Sequence, residues 1–212
     1  MCDLAATHNA YLVAGMPELD GGQVFNTAVL VGPREGYMTR YRKLHLWSEE
    51  KLSYTPGNLG IVVADLPFCC LGIMICYDTW FPEQARIMRL LGADVFAIPA
   101  ALVWNDTPAH VRHTYYMSTY VGMVTAHFNQ IHLALASQVG HFGNKWLFGS
   151  SLLADPNGWL LAEPADDEHP AVLHAAVDFT YGRRIRGWGA LDNFDNDRRT
   201  DVYGELLGYR PT

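Results

Sequence analysis

Cys76 is the residue of this sequence best placed to do chemistry. It closes an apolar run, Leu71-Gly-Ile-Met-Ile-Cys76, and Tyr-Asp-Thr-Trp-Phe-Pro82-Glu83 follows at once. The run is short enough for a buried strand. Pro82 suits a first helical position and Glu83 a first helical turn. A thiol lodged between a rigid strand end and a helix N-terminus is held still near a positive dipole end. Both effects favour the nucleophilic thiolate over a free thiol, whose pKa is about 8.5. Taken alone, the stretch fits equally a small apolar core cysteine, the commoner fate of an isolated Cys.

Other residues compete for a role. Lys43 sits among Leu44, Leu46 and Trp47, so it is not wholly solvated. On the residues alone it reads as an amphipathic chain lying over apolar neighbours. Glu49 and Glu50 read as an exposed loop pair. Glu18, in the turn-like stretch Glu18-Leu-Asp-Gly-Gly22, reads as a solvated charge. His110 and His113 are one helical turn apart, but no third ligand joins them and no glutamate stands between a histidine pair as in metalloproteases. His127, His132 and His141 have no ligand-like spacing either, so neither metal nor cofactor is expected. Gly149-Ser-Ser151 lacks the second glycine of a serine nucleophile elbow, Leu153 standing in its place.

The elements that must carry these residues alternate. Tyr11–Gly15, Phe25–Val31 and Tyr37–Tyr41 read as strands separated by glycine-rich turns. Ile61–Asp65 and Cys69–Ile75 form a further pair leading into Cys76. A helix over Pro82–Leu91 places Ala85, Met88 and Leu91 on one face, with Gly92 as its stop. Asp94–Pro99 is a buried strand, so strand, helix and strand make a parallel crossover. A long helix over Ala109–Phe128 and a strand over His132–Val139 follow. Ser150–Ala154 and Trp159–Glu163 pair across Asp155-Pro-Asn-Gly158, whose Pro and Gly suit a type I turn. Ala171–Asp178 reads as a last strand.

With 212 residues, half of them apolar, the chain supports one domain with a sizeable core. Its formal charge of −7 is spread along the sequence without a basic cluster, which argues against nucleic acid as a partner. No signal peptide or bilayer-length apolar run is read, so no membrane association is expected. Cys2, Cys69, Cys70 and Cys76 suggest no disulfide framework, since neighbours on a strand face opposite ways. A reducing, cytoplasmic setting is expected. Pattern alone gives a mixed α and β single domain.

Three blocks carry a resemblance. In order, Tyr41-Arg-Lys43-Leu-His-Leu46, Glu50-Lys-Leu-Ser-Tyr-Thr-Pro-Gly57 and Cys76-Tyr-Asp-Thr-Trp-Phe-Pro-Glu83 resemble the lysine, second-glutamate and nucleophile blocks of the nitrilase superfamily of carbon–nitrogen hydrolases. The likeness runs from about Tyr11 to Tyr203. It implies a two-sheet αββα sandwich, of mixed α/β class, that pairs into a homodimer or higher homo-oligomer. The tail Asp197–Tyr203 resembles the block that often reaches a second subunit. Gly149-x-Ser151 followed by Asp155-Pro-x-Gly158 matches family scaffold. The resemblance makes Cys76 the nucleophile, and Lys43 the cation that meets the negative oxygen of acyl transfer. A fixed donor at that oxygen is worth roughly 10²–10³ in rate. The backbone N–H of Tyr77 is the second oxyanion donor. The family places a glutamate seven positions before the glycine of its Pro-Gly turn, which selects Glu50 over Glu49 as the residue that orients Lys43. Trp104, by position, walls the substrate pocket or plugs the core, and Tyr54 is a second pocket candidate. Tyr77-Asp-x-x-Phe-Pro-Glu83 resembles amidase and carbamoylase branches more than nitrilases with Trp-Glu after the cysteine. A small amide or N-carbamoyl substrate is therefore expected over a nitrile.

The chain departs from the family at one point. The family's primary base is a glutamate on a strand well before the lysine block. Only forty-two residues precede Lys43, they align with the later sheet, and no glutamate among them fits. Residues 1–212 are thus expected to form one N-terminally incomplete domain, missing the family's first strand, first helix and base-bearing strand, and to show no turnover as they stand. The alternatives are a short non-catalytic paralogue that works as a binding or dimer partner, and, last, Glu50 acting as the base.

Overall fold

A computed structural model describes residues 1–104, 113–185, 187, 189 and 191–207, the side chains of Glu205 and Leu206 excepted. The short helix α1 (Cys2–His8) leads into a meander of β1 (Leu12–Asp20), β2 (Gln23–Gly32) and β3 (Gly36–Arg42), all antiparallel. Gly21 and Gly22 both have positive φ, 55° and 78°, as the two-residue turn joining β1 to β2 requires. After α2 (Glu50–Ser53) come β4 (Val63–Asp65) and β5 (Cys70–Ile73), a single 3₁₀ turn (Cys76–Trp80), α3 (Pro82–Leu90), β6 (Val95–Ala100), α4 (Met117–Asn129) and β7 (His132–Ser137). The hairpin of β8 (Val139–Phe142) and β9 (Lys145–Phe148), then β10 (Leu152–Ala154), α5 (Tyr181–Arg184) and α6 (Thr200–Leu206), complete the described chain.

The second sheet has the order β10-β7-β6-β5-β4. Its centre, β5-β6-β7, is parallel, with α3 and α4 as the two crossovers, as the strand–helix–strand pattern predicts. Alternation along the central strands divides the core in two. Leu71, Ile73 and Ile75 face Ala28, Leu30 and Tyr41 of the first sheet. Met74, Phe96, Ile98, Leu133 and Leu135 face Ala85, Met88 and Ala126 of α3 and α4. The fold is therefore sheet on sheet with helices outside, as expected. Gly72 makes this thickness fit, because a Cβ there would stand 2.9 Å from the Phe96 ring and 3.0 Å from Met88 Sδ.

Several expectations are corrected. Glu18 lies on β1, which runs on to Asp20, and it is not a solvated turn charge. Its side chain is 16% exposed and is held by Arg42 Nη2 (2.5 Å) and Thr27 Oγ1 (2.7 Å), with Arg40 Nε 3.2 Å away. Arg42 itself covers the Phe25 ring at 3.9 Å. Register puts these residues on one face of the sheet, where a short carboxylate reaches two guanidinium groups. Leu91 does not share the buried face of Ala85 and Met88; the helix ends at Leu90, and Leu91 is exposed at its cap. Residues 113–116 are not helical and α4 starts at Met117, behind an extended Tyr116. His110, Arg112 and the expected start at Ala109 lie outside the described residues. The second arm of the Asp155–Gly158 turn shrinks to one bridge, Ala154 with Leu160. Ala171–Asp178 joins no described strand and is mostly exposed, since β-forming residues make a strand only where a neighbouring edge pairs with them.

Arg42, first among its partners, holds the Glu18 carboxyl at about 2 against an ordinary 4.5. A carboxylate lowered on folding contributes stability above its unfolded pKa and loses it as pH falls toward the folded one. Glu18→Gln is expected to cost on the order of 1 kcal/mol at pH 7, discounted for partial solvent screening. The difference should shrink as pH drops from about 4.5 toward 2, and urea titrations of both proteins at pH 7, 4 and 3 measure it.

Candidate active site

Lys43 follows β3 directly. Its backbone is clamped on both sides: its N–H donates to Asn26 O (2.8 Å) and its carbonyl accepts from Gly57 N–H (2.8 Å). Only glycine fits at 57, because a Cβ would lie 2.1 Å from Arg42 O. The side chain is buried, 1% exposed, and its Nζ lies 2.5 Å from Glu50 Oε2. Glu50 opens α2. Its Oε1 accepts from Asn26 Nδ2 (2.8 Å) and its Oε2 also accepts from Trp47 N–H (2.7 Å). Glu49 turns away to Lys145. Of the two glutamates, Glu50 is thus the one beside the lysine, and a buried ammonium needs such a partner.

Cys76 stands at the end of the β5 segment, with φ at 48°. Left-handed backbone at a non-glycine residue costs on the order of 1–3 kcal/mol and persists only where its surroundings impose it. Asp78 imposes much of it: Oδ2 accepts from Ile75 N–H (2.9 Å), and Thr79 Oγ1 donates to Cys76 O (2.9 Å). Cys76 is half-buried as a residue, and its Sγ lies 3.8 Å from Ala101 O. Burial pushes its pKa up, the charge of Lys43 draws it down, and Glu50 and Asp78 push it up again. The expectation of a favoured thiolate is therefore corrected. The α-helix proper begins only at Pro82, and desolvation outweighs the cation. The same balance puts Lys43, Glu50 and Cys76 within electrostatic reach of one another.

Asp78, 0% exposed, was not singled out in the sequence although it is central here. Besides Ile75, it takes Tyr41 Oη (2.7 Å), His45 N–H (3.1 Å) and His45 Nδ1 (2.8 Å). Gln84 Nε2 (2.9 Å) and Leu44 N–H (3.1 Å) donate in turn to Tyr41 Oη. Burial and Asp78 push the Tyr41 phenol well up, so it stays a donor. The His45 ring stacks on Phe81 at 3.7 Å, and Tyr77 meets Phe81 edge-on at 5.3 Å. One signal could have exposed the knot: an acidic residue two places after the cysteine, between apolar elements, must find donors if buried.

The two pocket candidates part company. Tyr54 lines a cavity of about 360 Å³ with His45, Tyr77 and Phe81. Trp104 is not in that lining; it packs in a cluster with Tyr116 (5.9 Å), Trp146 (5.4 Å) and Phe148 (6.4 Å), and its backbone N–H donates to Trp146 O. Ser151 Oγ accepts from Ser137 N–H (2.9 Å), bridging β7 and β10 as scaffold. Among the described residues no three His, Cys, Asp or Glu side chains gather to hold a metal.

Comparison with known proteins gives the family and the fold. A family model described as carbon–nitrogen hydrolase matches residues 1–186. A protein named nitrilase from Pyrococcus abyssi is 36% identical over 203 residues, covering 96% of this chain and 72% of its own. An N-carbamoylputrescine amidase from Arabidopsis thaliana is 33% identical, covering 79% of this chain and 58% of its own. The crystal structure of a carbon–nitrogen hydrolase from Helicobacter pylori superposes with a TM-score of 0.84 at 28% identity, covering 97% of this chain and 74% of that one.

A thiol raised by burial alkylates faster as pH climbs, so the rate of Cys76 labelling by iodoacetamide is expected to keep increasing beyond pH 9. Lys43→Met removes the opposing charge and should move the whole profile to higher pH. Mass spectrometry of the labelled peptide across pH 6–11 reads both curves.

Proposed function

We propose, for a chain that belongs to the carbon–nitrogen hydrolase family, the cleavage of non-peptide carbon–nitrogen bonds in small amides or N-carbamoyl amines through a thioester on Cys76. The observation that carries the reading is buried Lys43, paired with half-buried Glu50, whose charges both act on the Cys76 thiol. Sγ attacks the carbonyl carbon, and the carbonyl π electrons move to oxygen. Lys43 Nζ and the Tyr77 N–H meet that oxygen. The nitrogen takes a proton and leaves as the C–N bond breaks, forming the thioester. Water then adds, and the acid and the free thiol are released. The block Tyr77-Asp-x-x-Phe-Pro-Glu83 favours amides and carbamoyl compounds over nitriles.

The proton of the thiol needs an acceptor. Both oxygens of Glu50 are engaged by Lys43, Asn26 and Trp47, which suits an orienting group better than a base. The acceptor in our reading is a carboxylate other than Glu50, and alkali can replace it by forming the thiolate directly. At pH 9–10, p-nitrophenyl acetate is therefore expected to leave an acetyl group on Cys76, seen as a mass gain. Cys76→Ser should abolish the adduct, and Lys43→Met should slow it roughly 10²-fold. Unactivated amides should give no ammonia above background with these 212 residues. Ammonia release lost in Glu50→Gln would make Glu50 the base after all. A second reading, a non-catalytic binding partner, is favoured by the fully engaged Glu50 and the raised thiol. It would prevail if no acyl adduct formed.

The outer face of α3 and α4 supports self-association. Trp80, Ile87, Val124 and Phe128 are exposed there and, with Tyr203 and Leu207, line an apolar groove of about 830 Å³. A homodimer through this face fits the reading, since patches of this kind usually mark interfaces. Light scattering is expected to give a dimer mass, and Phe128→Lys should shift it toward the monomer. The free cysteines suit a cytoplasmic setting, and among the described residues no helix is long and apolar enough to cross a membrane.

A further inference from the structure

His45 is joined to the turn that carries Cys76 through a buried carboxylate. Its backbone N–H and its ring Nδ1 both meet Asp78 Oδ1, at 3.1 and 2.8 Å. The other oxygen, Oδ2, accepts from Tyr41 Oη (2.7 Å) and from the N–H of Ile75 (2.9 Å), the residue before Cys76. A carboxylate only accepts hydrogen bonds, so Nδ1 carries the hydrogen and the lone pair of the neutral ring lies on Nε2. Among the described residues Nε2 has no hydrogen-bond partner. The ring lies flat against Phe81 at 3.7 Å, and the side chain is 31% exposed beside the cavity it lines, so solvent protons reach it.

A proton taken up at Nε2 changes charge without breaking the knot. The Nδ1–H donor to Asp78 is present in both states, and only the charge in contact with the carboxylate changes, from zero to plus one. Asp78 stands two residues from Cys76 on the same 3₁₀ turn, and its charge is one of those that push the thiol up. A cation in contact with that carboxylate cancels part of its field at the sulfur. The titratable and charged groups that face the ring or share its cavity are Asp78 and Tyr77 of the turn, Tyr41 of β3 behind Asp78, and Lys51 and Tyr54 across the cavity. Lys43, two residues earlier, is held by Glu50.

We infer that His45 is a positioning residue for the nucleophile, acting through Asp78, and that its protonation offsets the carboxylate charge beside Cys76. The site then carries a built-in response to pH over the range in which histidine changes charge, about pH 5–8. This rests on the reading of Cys76 as the acyl acceptor, but its test does not require turnover.

Cys76 in the full 212-residue chain is alkylated with iodoacetamide at steps between pH 5 and 9, and ¹⁵N NMR of the imidazole follows the His45 proton. A thiol well below its pKa labels about tenfold faster per pH unit. The native chain is expected to fall below that slope where His45 titrates, leaving the rate at pH 5 about threefold above the line extrapolated from pH 8–9. The bend should coincide with the NMR midpoint. His45→Asn keeps an amide donor for Asp78 but takes no proton, and should restore the straight line. Cys2, exposed on α1, is read in the same spectra and should label alike in both proteins. A straight native profile, a bend away from the His45 midpoint, a bend that persists in His45→Asn, or an Nε2–H tautomer at pH 8 would each overturn the inference. Three of these four need only the native chain, so the test stands whether or not the variant folds. An acyl adduct on Cys76 with a straight profile would defeat this inference alone. A bend matched to His45 without any acyl adduct would defeat the proposed function and spare the coupling.

Discussion

A single buried carboxylate holds the two halves of the site together. Asp78 has no solvent contact and is paired with a phenol, two backbone N–H groups and an imidazole. An ion taken from water costs several kcal/mol unless donors replace its hydration, and each removed partner leaves that cost exposed. Two of the elements meeting on Asp78 belong to different sheets. Tyr41 lies on β3 of the first sheet, and Ile75 follows β5 of the second. The carboxylate can be satisfied only when the sheets pack in one registration. In that registration the residue two places after Tyr41 and the residue next to Ile75 are Lys43 and Cys76.

Around this knot the site is built by opposition. The Cys76 backbone is held in the left-handed region, and the thiol is desolvated more than Lys43 compensates. Lys43 is itself buried and is tolerated because Glu50 and the backbone clamp of Asn26 and Gly57 fix it. The result is a half-buried cysteine within reach of the charge of a buried lysine. In the proposed reaction, such preorganisation lowers the barrier as charge develops, without reorganising the surroundings. In that reaction the proton on Cys76 has to leave before attack, because burial raises the thiol.

The fold separates two surfaces of different character. The loops after β3 and β5 form the polar site, while the faces of α3 and α4 turned from the sheet carry the exposed apolar residues. Both depend on the same alternation in the central strands. Leu71 and Ile73 point to the sheet–sheet core, and Met74, Phe96 and Ile98 point to the helices. Moving one strand by one residue would exchange these faces and dissolve both cores.

Local rules were enough for much of this. Short apolar runs, glycine at left-handed turns and proline at a first helical position placed the strands, the β1–β2 hairpin and α3. The order and spacing of three blocks that resemble a known family picked Lys43, Glu50 over Glu49, and Cys76; the residue types alone left each of them open. What needed the tertiary structure was everything set by a distant partner. Glu18 looked solvated until register brought Arg42 beside it. Ala171–Asp178 looked like a strand, and no described edge pairs with it. Asp78 looked ordinary until packing removed its water. The thiol looked activated because a nearby helix N-terminus can be read from sequence, whereas desolvation cannot. Chain-local preferences are written residue by residue, but burial and charge pairing arise between segments far apart in sequence, and only the folded packing decides them.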